Sequence, residues 1–513
     1  MVVGFLAVAA LLVACGANDS PAASPATTAA ATSATAPPTS GASETSVPAD
    51  SSFPAGTEHL HFEFGPVDVQ PGQNSIEYSK GKIPKPDVDG WILQMSANLK
   101  RADGTVPPVD VIHLHHGVWL NASRPDNTVP TFPERFFAAG EEKTTTEFPP
   151  GYGYQYRATD RWVLNYMLHN LTSQGEKIWV TYDLDFLPAS APAAAHIVGA
   201  HPVWLDVQNG SGYPVFDVIK GTGTNGTFTY PDQATDPYHG GPPKNIWSVD
   251  TDGVLIGTGG HLHPGGLHDD LYLDRNGQSA HLFESEAKYF EPAGAVSWDV
   301  AMTVTNPSWA VAVHPGDTLR ISTTYDSARA SWYESMGIMV VWMADGASGG
   351  ADPFTTKVDE PGHLTHGHLP ENDHHGGKDA TLPDVTALPT APVTDPIHIA
   401  SFFYGQGDMR TGGTLPSVKQ GQPLTFINDD SPVGPGIWHS ITACKAPCNL
   451  ETGIAYPIAD ADVPFDSGQL GTQGAPTTGH IDWSTPTSLP PGTYTYFCRI
   501  HPFMRGAFVV VKV

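Results

Sequence analysis

The chain has 513 residues, of which 53 are glycine and 48 proline. About one residue in five therefore disfavours helix, which excludes a helical bundle or a long coiled coil. Acidic residues outnumber basic ones 53 to 25, and the formal net charge of −28 excludes nucleic acid and anionic lipid surfaces as partners while suiting metal ions. Only four cysteines stand against 23 histidines, so neither a disulfide-rich scaffold nor a zinc-finger array fits.

The first segment, residues 2–14, is apolar and ends at Cys15-Gly16. It is too short for a confident membrane span. Leu12-Val13-Ala14-Cys15 resembles a bacterial lipobox, although the first Lys or Arg is Lys80, where a signal peptide would begin with positive charge. The resemblance implies a lipoprotein signal peptide (1–15) and lipidation of Cys15. The expected location is then the bacterial cell surface, on the outer face of the cytoplasmic membrane, with the lipid anchor as sole membrane contact. Of the 41 residues from 16 to 56, 32 are Ala, Ser, Thr or Pro. Such a composition buries too little surface to offset its ordering entropy and reads as a disordered tether.

From residue 57 onward, short apolar or alternating runs recur between Gly, Pro and Asp: Trp91–Leu99, Val109–His116, Lys177–Phe186, Val296–Val304, Thr318–Thr324 and Gly337–Met343. This spacing predicts an all-β chain of antiparallel sandwiches. Three places concentrate ligand-type residues: His113-Leu114-His115-His116, His261-Leu262-His263, and the Trp332 to Met343 run that holds Met336. His169 lies between the first two. His261 and His263 share a strand face, and so do His113 and His115; adjacent His115 and His116 face opposite sides unless a bulge intervenes.

In order, His-His, His, His-x-His and Met resemble the copper type II, ascorbate-dependent monooxygenases, the family of the peptidylglycine α-hydroxylating and dopamine β-monooxygenases. The match covers roughly residues 57–345. It implies two consecutive β-sandwiches, split near 190–205, each holding one type 2 copper. Copper H would take His115, His116 and His169 and pass an electron. Copper M would take His261, His263 and Met336 and activate O2 for C–H hydroxylation. The rival ligands are His113 in place of one of the pair, and His196 or His201 in place of His169. The peptide-holding Arg, Asn and Tyr of the peptidylglycine enzyme are replaced by Gly259, Ile338 and Val340, which points to a smaller or more apolar substrate.

Residues 346–393 break the pattern with Gly, Pro, Asp and five histidines (His363, His366, His368, His374, His375) and read as a His-rich interdomain linker. Two readings stand for it: copper capture, or a solvated spacer. The last 120 residues, 394–513, form another β unit. Its end runs Cys498-Arg499-Ile500-His501-Pro502-Phe503-Met504 after a strand, with Trp438-His439-Ser440 upstream. One thiolate, two imidazoles and a weak thioether are the donors of a trigonal blue-copper site. The stretch resembles the cupredoxins, its loop most like amicyanin's. The resemblance implies a Greek-key β-sandwich, a type 1 copper on His439, Cys498, His501 and Met504, and an exposed loop His501 beside Pro502 and Phe503 as the electron exit. Cys498 lacks flanking histidines, so the His-Cys-His wire of multicopper oxidases and nitrite reductases is missing. Cys444 and Cys448 remain, as a disulfide or as half of a separate metal site.

The expected protein is an exported copper protein, with a type 1 electron-transfer domain fused to a type 2 monooxygenase-like module. Its partners would be a redox protein or small reductant, O2 and a small-molecule substrate. The alternative is a non-catalytic copper-binding electron carrier or copper-handling surface lipoprotein.

Overall fold

The computed structural model describes residues 53–208, 214–233, 245–291, 294–373, 383–431, 437–445, 448, 463–471 and 480–513, all within one compact unit, Glu44–Val513. The expected signal peptide with Cys15, the expected tether up to residue 52, and His374 and His375 lie outside them. Phe53, at the tether's end, already packs against the Leu93 and Leu187 cluster.

The predicted β runs are strands, and alternation sets their faces. In Ile112–Pro125, residues 117, 119 and 121 are buried and 116, 118 and 120 half-buried. Glu58–Val69, Glu176–Pro188, Gly90–Arg101 and Tyr152–Tyr156 make one layer of a first sandwich. Asn74–Tyr78, Trp162–Asn170, Ile112–Pro125 and Pro133–Ala139 make the other. Leu114, Trp119, Leu164, Val180, Tyr182 and Leu184 fill the space between, all fully buried. Truncating Trp119 to alanine there costs about 3–5 kcal/mol.

A second sandwich follows. Gly253–Leu262 pairs with Gly337–Asp345 and Val300–Val304, and Gly266–Arg275 with Gln278–Tyr289 and Thr318–Asp326. The expected split near 190–205 falls on a strand that both halves share. Val198–Asp206 pairs parallel with Tyr152–Tyr156 and antiparallel with Gly337–Asp345, so one 16-stranded sheet runs through both sandwiches.

The described part of 346–393 departs from a free spacer. Val358 packs into the second core, His363–Leu364 pairs with Val300–Val304, and buried Asn372 accepts from the Val109 amide and donates to Asp299. The segment is held both by single apolar anchors such as Val358 and Phe354 and by hydrogen bonds such as those of Asn372. The third unit is again a two-layer β-sandwich. Thr390–Pro392, Leu415–Lys419, Arg505–Val511, Gly492–Phe497 and Thr442–Cys444 face Ile397–Ile399, Thr425–Asn428 and Asp482–Ser484 across a core of Phe426, Ile441, Tyr496 and Phe508.

Candidate metal centres

The hairpin of Gly492–Phe497 and Arg505–Val511 presents the loop 498–504 at one end of the third sandwich. The loop closes on itself: the Cys498 amide donates to Met504 O (3.1 Å) and the Met504 amide to His501 O (2.8 Å). His439 arrives from a neighbouring bridge to Leu470. Cys498 Sγ stands 3.8 Å from His439 Nδ1 and 3.7 Å from His501 Nδ1, and the two ring nitrogens are 3.2 Å apart. All three residues are buried, and Met504 is buried in the same core as Cys498.

The surroundings prepare this set for a metal. The amides of Ser440 and His501 both donate to the sulfur at 3.4 Å. Burial alone would raise the Cys498 thiol, but hydrogen bonds and charge from His439 and His501 hold it well below its ordinary value, as thiolate. His439 Nε2 bonds Asp430 Oδ2 (2.9 Å) and His501 Nε2 donates to Gly72 O (2.9 Å). Each outer nitrogen is thereby engaged and each Nδ1 turned inward. Cys444, the last residue of the strand Thr442–Cys444, forms a disulfide with Cys448.

The expected surface exit at His501 does not exist in this fold. His501 is only 2% exposed because the turn at Gly72, from the first sandwich, lies over it. Gly72 has φ +61°, and a Cβ there would stand 2.7 Å from the Phe402 ring and 3.0 Å from His501. Only glycine permits so close an approach.

A second cluster lies where the first two sandwiches meet. His113 and His169 are cross-strand partners with rings 4.8 Å apart. The register of Ile112–Pro125 slips between Leu114 and His116, the irregularity that two adjacent histidines need in order to share a face. His115 Nδ1 and His116 Nδ1 are 3.4 Å apart. His263, from the second sandwich, approaches His115 to 4.5 Å between rings, and His261 lies 5.4 Å from His263. The Trp298 indole touches His113, His115 and His263, at 4.7 to 4.9 Å.

Most of these rings are held by one nitrogen. His113 Nδ1 donates to Val109 O, His169 Nε2 to Ile500 O (2.7 Å) and His116 Nε2 to Asn165 Oδ1, while His261 Nδ1 bonds Glu142 Oε2. The other nitrogens of His113, His169 and His261, and Nε2 of His263, are buried with no hydrogen-bond partner. An orphaned buried imidazole nitrogen is costly unless a ligand takes it, so the donor set fits a metal. Burial, reinforced by the neighbouring imidazoles, pushes His113, His115 and His263 well below the ordinary histidine value, His116 to about 4 and His169 to about 3. Near neutral pH these rings are uncharged and their lone pairs available.

The grouping differs from two separate triads. His169 lies against His113, and the two expected halves form one continuous cluster. Among the described residues, only His439–Cys498–His501 and His268–Asp270–Glu284 bring three ligand atoms within 4.8 Å of one another. Met336 is tied to His263 through the Tyr325 hydroxyl, which accepts from both backbone amides and donates to Met336 O. Its side chain packs with Trp204, Val215, Ile338, Val118 and Ala138 across the sandwich junction. Gly259 has room for no larger residue, since a Cβ would meet Val304 at 2.6 Å. The rivals of His169 fall away: His196 is exposed, and His201 bonds Asn127 and Asp345. Glu142, Trp298, Asp430 and Gly72 carry no motif in the sequence. His113 did carry a signal, the i, i+2 spacing to His115.

No family model and no curated protein matches the chain. Among solved structures, a purple cupredoxin from Nitrosopumilus maritimus is 20% identical over 18% of this chain and 75% of its own, with a TM-score of 0.13. A copper-containing nitrite reductase from Thermus scotoductus is 13% identical over 55% and 62%, at 0.16. The major capsid protein P2 of bacteriophage PM2 is 8% identical over 57% and 100%, at 0.23. Scores this low carry no argument.

Proposed function

We propose that the chain is an exported copper oxidoreductase in which the third sandwich delivers single electrons to the histidine cluster of the other two. The observation that carries this reading is the buried His439–Cys498–His501 set, whose sulfur and inward ring nitrogens stand 3.2–3.8 Å apart. Copper bound there and at the histidine cluster would supply one-electron transfer and O2 activation for hydroxylating a small or apolar substrate. The protein's own part is positioning. The residues between Cys498 and His501 touch both sandwiches: Ile500 O accepts from His169, and Arg499 reaches Ser331 O and stacks on Trp332, close before Met336. This takes the place of the missing His-Cys-His wire. Gly72 covers the usual exit, so a redox partner or small reductant meets the third sandwich elsewhere. Apolar Met336, Ile338 and Val340 suit an apolar substrate. Export and anchoring through Cys15 belong to the same proposal.

The test is oxygen consumption with a one-electron donor. Cys498→Ser should slow it at unchanged copper content of the histidine cluster; an unchanged rate would remove the wiring.

A second reading has its own observation. The six histidines are not drawn into closed triads, as a copper-handling protein without catalysis would allow. It predicts copper binding at the cluster with no oxygen consumption coupled to any organic substrate.

A further inference from the structure

A third set of ligand-type side chains lies away from both clusters. It sits on the hairpin of Gly266–Arg275 and Gln278–Tyr289, whose turn is Asn276-Gly277, both at positive φ. Asp270 and Glu284 are directly opposed across the strands, and His268 is two residues before Asp270 on the same face. His268 Nδ1 is 3.1 Å from Asp270 Oδ2 and 3.8 Å from Glu284 Oε2. A register shift beside Leu271 and Tyr272 brings His281 round to this face as well, three residues from Glu284, where regular alternation would place it on the other. His281 Nε2 bonds Asp270 Oδ1 at 2.8 Å, its Nδ1 lies 3.1 Å from Asp359 Oδ2, and the Tyr272 ring packs against it at 5.0 Å.

We infer that His268, Asp270 and Glu284 bind a divalent transition metal of the zinc class. One imidazole and two carboxylates, with no sulfur, are borderline-hard donors that suit Zn2+ and are a poor match for Cu(I). Asp270 is largely buried while Glu284 is half open to solvent, so the three form a preset base with an accessible side. His281 does not ligate. It orients Asp270 and is itself oriented by Asp359, the outer chain that metal-binding carboxylates commonly have. Asp359 belongs to the segment 346–373, so the site clips that segment to the second sandwich.

The experiment titrates Zn2+ anaerobically into full-length protein already loaded with Cu(I), a soft ion that suits the sulfur and imidazole clusters and not this carboxylate-rich one. The expected result is one further metal per chain, copper content unchanged, with affinity reduced at least about tenfold by Asp270→Asn and by Glu284→Gln. Both variants are checked for unchanged copper content as a sign of intact folding. Tryptic cleavage after exposed Lys357 should slow when Zn2+ binds, and Asp359→Asn should abolish that protection. Zinc uptake that merely displaces copper, or uptake indifferent to both substitutions, would overturn the inference.

Discussion

The sulfur-containing site and the histidine cluster differ in how they are assembled. Three of the four residues at the first come from one seven-residue loop, and its ring nitrogens and sulfur already stand 3.2–3.8 Å apart. The second draws on Ile112–Pro125, Trp162–Asn170 and Gly253–Leu262, with supporting partners from the 140–143 turn and from Ile500 of the third sandwich. A local loop sets its own geometry; a cluster built across sandwiches depends on how they dock. Disturbance at the junctions should cost the second more than the first, which meets the first sandwich through the Gly72 contact on His501.

The largest expected effect is at the local site. Cys498→Ser should abolish any blue absorption and type 1 EPR signal while the histidine cluster keeps its copper. Retained blue colour would show that the thiolate is not the donor. Next, His113→Ala and His261→Ala should each remove copper from the cluster and leave the type 1 signal intact, whereas exposed His196→Ala should change neither. Copper content by mass spectrometry decides this.

Acid should weaken the histidine cluster in the metal-free protein. The folded-state values of His116 and His169, about 4 and 3, lie below the unfolded value of about 6.5. The unfolded chain therefore binds more protons between these values. Stability conferred by the neutral rings is complete above about pH 6.5 and falls as pH drops toward 4 and then 3. Thermal melts should show the midpoint falling across that window, and His116→Gln should shrink the slope; a flat midpoint would contradict buried neutral rings.

A smaller effect follows from Gly72. Gly72→Val would collide with Phe402 and His501, at a cost of about 1–3 kcal/mol. The lid should loosen, and a small external oxidant should react faster with the reduced site. An unchanged rate with a lowered melting temperature would mean that the lid does not control access.

Much of the fold was legible because alternation of apolar and polar residues marks half-buried strands wherever it occurs, as in Trp91–Leu99 and Thr318–Thr324. The loop donors were legible for the same local reason, with Cys498, His501 and Met504 at fixed spacing after a strand. Long-range packing was not. Nothing near Gly72 signals that it caps His501 from 429 residues away, and Glu142 and Trp298 carry no pattern. The segment 346–373 read as spacer because polar anchors such as Asn372 leave no apolar periodicity. The pairing of His169 with His113 is a matter of strand register, which the sequence states only through the His113 and His115 alternation.

The most direct measurement is EPR with copper quantification on the full-length protein, loaded with Cu(I), cleared of loose metal and then oxidised. The expected result is one type 1 signal together with about two type 2 equivalents, the latter lost in His261→Ala and His113→Ala. A lone type 1 signal, with a single copper per chain, would contradict it and leave an electron carrier on a scaffold of structural histidines.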